Sequence, residues 1–401
     1  MKNRNTVFTT ILFALGSIAL LPGAQAVSPP PDGGYPGGNT AEGQNALTSL
    51  TSGTFNTAVG LFSLTSNTEG NFNTAIGAGA LLANVGDPTA FDGVENTATG
   101  AGALLSNISG SANTVTGAFA LFNNTEGNSN TATGDSTLFS NTTGFENTAI
   151  GAFALLNNTE GGRNTANGIA SLSFNTTGSE NTASGAFALQ ENTTGSDNTA
   201  IGDEALFSNT EGGSNTAIGV DALLGNSTGN ENTAVGVSAL KSNTTGFNNN
   251  AFGFEALALN TTGTFNTAVG DGALGNNTIG LDNSAAGAGA LVSNTEGNLN
   301  TAVGRNALSS NTTGDRNAAL GNEALRLNTT GNDNTALGIS AGNAVTTANN
   351  VIAIGHPGLN VDNSCFIGNI RDAQVGNDAV AVMIDSFGKL GTTVSSRRFK
   401  K

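Results

Sequence analysis

Few side chains in this 401-residue chain could do chemistry, and their spacing works against most of it. His356 is the only histidine and Cys365 the only cysteine. One of each cannot build a zinc site, and a single thiol forms no disulfide within the chain. His356 stands beside Pro357 and Gly358, where a structural or solvated role is expected. Asp and Glu fall singly, without the glycine-rich aspartate run that binds calcium in repeat proteins. Two carboxylates meeting across the fold could cleave a glycosidic bond. Asp203 and Glu204 are neighbours, however, and an extended backbone points neighbours to opposite faces. The expectation is no catalysis, no metal and no cofactor. Trp is absent, so a sugar platform would have to use Phe119, Phe153 and Phe187, or Phe55, Phe72 and Phe265. The preferred reading of these is core or subunit contact. Thr57, Thr74, Thr97 and their successors form a regular column that could order water.

These residues recur because the whole chain recurs. A glycine returns every 17 residues from Gly43 to Gly355, through Gly60 and Gly77, with one step longer by six residues. Around each of these 19 glycines the consensus is G-x-x-A-L-x-x-N-T-[TE]-G-x-x-N-T-A-x. So short and faithful a period predicts an all-β fold, a parallel β-solenoid or β-roll of 17-residue coils. Disorder would not hold Leu in register from Leu47 through Leu64, Leu121 and Leu206 to Leu325.

The segment N-T-A-x reads as a strand. Side-chain alternation puts Thr57 and Val59 on one face and Asn56 and Ala58 on the other. The same holds for Thr74 with Ile76, opposite Asn73 and Ala75, and for Thr148 with Ile150, opposite Asn147. Stacking at about 4.8 Å lets Asn56, Asn73, Asn147 and their equivalents bond copy to copy, as in cross-β ladders. Asn67, Asn84 and Asn107 onward predict a second ladder. A-L-x-x-N is read as a second short strand, with one helical turn as the alternative. The glycine of N-T-[TE]-G is expected to supply a turn through positive φ. The extra residues near 85–92 fall at a turn and read as a tolerated bulge.

Residues 1–26 have the form of a secretory signal: Lys2 and Arg4, an apolar stretch, then Ala24-Gln25-Ala26 as the cleavage site. That stretch is too short and interrupted for a comfortable membrane span, so a secreted or cell-surface protein is expected. Residues 27–38 read as a Pro/Gly linker, 39–355 as the solenoid and 356–401 as a β-rich stem. The net charge is −16, and Arg163, Lys241, Arg305, Arg316 and Arg326 are the only bases of the repeat region. Nucleic-acid binding is disfavoured, because nothing neutralises phosphates.

Two resemblances add to this. The signature N-T-A-V-G at Asn56–Gly60, with V-I-A-I-G at Val351–Gly355, resembles the heads of trimeric autotransporter adhesins. Those are left-handed parallel β-rolls in which three chains pack side by side, which implies a homotrimer. The tail, from Val382 to Thr393 and on through Ser395-Ser396-Arg397-Arg398-Phe399-Lys400, is similar to the junction before the self-cleaving intramolecular chaperone of tail-spike and tail-fibre-like proteins. There a Ser begins the chaperone and a Lys five residues on assists cleavage. Ser395 and Lys400 stand at those positions, with Ser396 where that family has Asp. On this reading the chain carries the junction without the chaperone domain, and the resemblance implies a trimeric fibre.

The expected function is a structural or adhesive surface fibre. Ice binding by the Thr column is the alternative, and glycan binding of the phage-spike kind a third. Possible ligands are accordingly a cell surface, a glycan or ice.

Overall fold

A computed structural model of the chain describes residues 35–369, together with 382–384 and 390–392. The signal segment 1–26, linker residues 27–34, Ser395 and Lys400 lie outside the described residues. The chain divides into two compact units, up to Asn248 and from Asn249. Each is a parallel β-solenoid with one short strand per coil. The strands run from Thr40–Glu42 to Thr233–Val235 in the first unit, and from Asn250–Phe252 to Ser364–Ile367 in the second. Pairing is in register, Thr57 against Thr74 and Val59 against Ile76, then Thr199 against Thr216. The longer step keeps register as well, with Thr74 against Thr97. Val382–Ile384 and Leu390–Thr392 pair with each other, antiparallel.

Strand alternation sets the core. Ala58, Ala75 and Ala149 are wholly buried, as are Leu64, Leu121 and Leu206 from the facing segment. Each buried Leu contributes about 1.5–3 kcal/mol. Both asparagine ladders form. Asn164 Nδ2 donates to Asn147 Oδ1 (3.1 Å), and Asn141 Nδ2 donates to Asn124 Oδ1 (2.7 Å). The two ladders meet on one carbonyl per coil: Gly144 O accepts from Asn130 Nδ2 and Asn141 Nδ2, both at 2.9 Å.

The A-L segment is neither strand nor helix. Ala154 and Leu155 are consecutive, yet both are buried, which a strand's alternation forbids. The backbone achieves this with left-handed residues: Phe153 has φ 62° and Leu155 φ 50°. Tertiary hydrogen bonds hold them there. Phe153 N–H donates to Asp135 O of the coil before (3.0 Å), and Leu155 N–H to Ser171 O of the coil after (3.0 Å).

The glycine of N-T-[TE]-G does not supply a positive φ. Gly70, Gly127 and Gly144 take ordinary φ values; a Cβ on Gly144 would instead strike Asn141 Oδ1, Gly161 O and Asn158 Nδ2. Glycine is needed there for space. The left-handed requirement falls on the glycine ending each repeated strand up to Gly355, with φ 129° at Gly60 and 139° at Gly77.

The ends also differ from expectation. Pro36–Gly38 form a short 3-10 turn, and Gly37 O accepts Phe55 N–H (2.9 Å) as an earlier coil would. The last linker residues therefore belong to the first coil. Beyond Gly355 the sheet gains Ser364–Ile367, paired with Val351–Ile354. Asn360 closes this end: its Oδ1 accepts the N–H groups of Thr346, Thr347 and Ala348 at 2.8–3.0 Å.

Asn360 there replaces a backbone carbonyl that serves this role in ordinary coils. Thr159 O, for example, accepts from the N–H groups of Thr142 (2.9 Å), Thr143 (3.2 Å) and Gly144 (3.2 Å), and from Thr142 Oγ1 (2.9 Å). This explains the Thr of N-T-[TE]-G. Thr142→Val keeps the shape, as Val85 and Ile108 do at the same place in their coils, but removes the hydroxyl donor. The expected loss is about 1 kcal/mol, read as a lower urea midpoint at unchanged slope. An unchanged midpoint would remove the hydroxyl from this account.

Candidate functional site

The strand's outward face is the most regular surface of each unit. Thr57, Thr74 and Thr148 are half-buried there, beside exposed Val59, Ile76 (43% exposed) and Ile150 (45%). In the first unit the outermost row from Val59 to Val235 carries no charged residue. Three adjacent coils replace the aliphatic by a second Thr: Thr97 with Thr99, Thr114 with Thr116, and Thr131 with Thr133. Asn167 and Ser184 follow in two later coils. In the second unit the row is apolar from the first strand, with Phe252, Val269, Val303, Leu320, Leu337 (46%), Ile354 and Ile367 exposed. Cys365 is exposed on this face, next to Ile352 in the ladder.

The phenylalanines fall into two groups. Phe55 (59% exposed) and Phe72 precede the ladder asparagine, take left-handed φ, and stack at 5.2 Å with their planes 8° apart. Parallel stacking covers ring faces and leaves edges to solvent, which suits a ladder better than a sugar platform. Phe265 stands at the same place in its coil, also exposed. Phe119, Phe153 and Phe187 lie after the strand and are half-buried. Phe119 meets Phe122 edge to face, and Phe122 stacks on Phe139 at 5.2 Å. The inserted residues project as a small hairpin, Asp87 paired with Asp92, and carry Phe91, which is 75% exposed.

Charged side chains sit at the coil corners. Arg163 bridges Glu146 (3.0 Å) and Glu180 (3.3 Å) in the coils before and after. Those bonds, to Glu146 first, raise its guanidinium pKa further. Arg316 pairs with Asp333 (2.7 Å), and that hydrogen bond lowers the Asp333 pKa. All are exposed, so each contributes little to stability. Asp203 and Glu204 lie in a turn, not a strand, with Glu204 left-handed. Among the described residues no three His, Cys, Asp or Glu side chains converge as a metal site requires. His356 has a structural place: its Nδ1 accepts Gly358 N–H (2.9 Å) and its ring stacks on Phe366 (5.5 Å). A cavity of about 470 Å³ at the first coil is lined by Tyr35, Pro36, Ala46, Leu47 and Leu50 among others, and it exposes the open end of the core columns. None of its lining residues is a carboxylate, histidine or cysteine.

No protein-family model matches the chain, and no curated protein is similar to it. No helix among the described residues is long and apolar enough to cross a membrane.

The repeat pattern marks the strand face and the columns beneath it. The row missed from sequence is the apolar one formed by Leu82, Leu105, Phe122, Phe139 and Leu156, one residue after each buried Leu. The signal was there, as large apolar residues in five successive copies.

Proposed function

We propose that this protein is a non-catalytic, self-associating solenoid, exported from the cell, that serves as a structural or adhesive surface fibre. The observation that carries this is the charge-free row from Val59 to Val235, with aliphatic side chains such as Ile76, Ile150, Ile201 and Ile218 left in water. An exposed apolar strip of this kind usually marks an interface. Association would also compensate for the absence of internal disulfides. A homotrimer is the state this reading favours, in keeping with the adhesin-head resemblance of Asn56–Gly60. The wild-type protein is then expected at three chain masses by light scattering after size exclusion. Replacing Ile76, Ile150, Ile201 and Ile218 together by Lys should reduce that to one. A wild-type protein that stays monomeric at high concentration sinks the proposal.

The three double-Thr coils favour a second reading, ice binding, over this part of the face. It requires the face to be open to solvent, so it goes with a monomer. Thermal hysteresis that disappears in Thr116→Tyr would establish it.

A further inference from the structure

Resting on self-association, we infer that two different surfaces meet in it: the strand row of one copy packs on the Leu/Phe row of its neighbour. A ring of identical subunits needs this, because only a heterologous contact closes beyond two copies. Leu82, Leu105, Phe122, Phe139 and Leu156 form the second surface. They stand on the turn that follows each strand, separated from the strand row by the glycine and the residues after it. All five are half-buried, with Phe122 and Phe139 stacked in a fixed arrangement.

The occupant is a second copy because the spacing demands it. Both rows advance one residue per coil, at about 4.8 Å. A partner must offer apolar groups at the same interval over many coils, and the other row of this chain does. The two rows also match coil by coil. Where the strand row turns to Thr99, Thr116 and Thr133, the second row has its largest apolar groups, Leu105, Phe122 and Phe139. Where the strand row has Asn167 and Ser184, the second row has Ser173 and Gln190. Parallel copies in register therefore set polar against polar in these two coils and Ile76, Ile150, Ile201 and Ile218 against Leu82, Leu156, Phe207 and Leu224, while the end coils set Val59 against Thr65 and Val235 against Lys241. A polar pair inside an apolar seam specifies register at a cost in stability.

The test uses the full chain in two forms. One carries Ile150→Lys and Ile201→Lys on the strand row; the other carries Phe122→Lys and Phe139→Lys on the second row. Circular dichroism and hydrogen exchange first establish that each is folded; should the second unfold, Leu82→Lys with Leu105→Lys replaces it. Each form alone is expected to show a threefold fall in mass, to one chain. Their mixture retains one intact row of each kind, so it should yield a 1:1 dimer of two chain masses and nothing larger. A second-row variant that keeps the wild-type mass overturns the inference and leaves self-association through the strand face standing. Two monomeric forms that give no dimer on mixing overturn it as well. A monomeric wild type removes self-association itself.

Discussion

Replacing Asn147 by Ala is expected to cost about 2–6 kcal/mol, far more than a surface asparagine would. Asn147 is fully buried. Its Oδ1 accepts from Asn164 N–H (3.0 Å) and Asn164 Nδ2 (3.1 Å). Its Nδ2 donates to Asn130 Oδ1 (3.1 Å) and Gly161 O (2.9 Å). The acceptors keep other donors, since Asn130 Oδ1 still has Asn147 N–H and Gly161 O still has Asn158 Nδ2. Asn164 N–H loses its acceptor and Asn164 Nδ2 keeps only Gly178 O (2.9 Å), so two N–H bonds go unmade in a dry interior, at about 1–3 kcal/mol each. Asn128→Ala removes only an exposed acceptor of Ser111 N–H, and about 1 kcal/mol or less is expected. Urea midpoints compare the two, and hydrogen exchange should show opening around Asn130 and Asn164. Equal effects would mean that the ladder does not hold the coils together.

Asn147→Asp sharpens this with a pH signature. The new oxygen would face Asn130 Oδ1 and Gly161 O, so both contacts become acceptor against acceptor. Burial and those acceptors favour the neutral acid, so the folded-state pKa is raised above the unfolded one. The variant's penalty then grows as pH rises above the ordinary carboxylate range, and shrinks where the acid is protonated in both states. Its deficit against wild type should be larger at pH 8 than at pH 4. A pH-independent deficit would mean that the side chain has left the core.

The sequence displayed the parts of the fold that depend on residue type. An Ala that cannot grow, an Asn that pairs with its own copy and an alternating Thr and Val each report one local requirement. Ala58 and Asn56 are buried and Thr57 is half-buried, as alternation along a strand requires. Left-handed backbone at Leu155 and Phe153 left no such mark, because neither residue prefers it; L-residues lose about 1–2 kcal/mol there. Hydrogen bonds to Asp135 O and Ser171 O, in the coils on either side, hold that conformation. A requirement met by partners 18 and 16 residues away is invisible in a window of five. One clue was nonetheless present: adjacent Ala and Leu, both invariant in kind across most copies, cannot both face inward from a strand. Asn360 was equally hidden, since it acts by standing in for a carbonyl and breaks the repeat where it does so. The candidate surface was half legible. The strand row follows from alternation, whereas the Leu/Phe row needed the turn geometry to show that Leu155 points in and Leu156 out.

Glycines two positions apart in the repeat should respond very differently to Ala, and Gly117 should be among the least tolerant. Its φ is 145°, which Ala adopts only under strain. A Cβ there would also strike Gly134 O and come within 2.6 Å of Gly134 C in the next coil. Neither is the movable tip of a side chain, so the two coils must part. Gly117→Ala is therefore expected to cost about 4 kcal/mol or more. Because a solenoid's coils hold mainly their neighbours, protection from hydrogen exchange should fall first around Gly117 and Gly134. Gly272 provides the contrast. Its φ is 60°, and the nearest atom to a Cβ is Val292 Cγ2 at 4.0 Å. Other coils place Ser136 and Phe119 at the equivalent position with similar φ. Gly272→Ala should then cost only about 1–2 kcal/mol, the ordinary left-handed penalty. Similar urea midpoints for the two variants would show that the coils can separate at the strand-ending glycine without loss. Close stacking there would then not be what requires a glycine at the end of every strand.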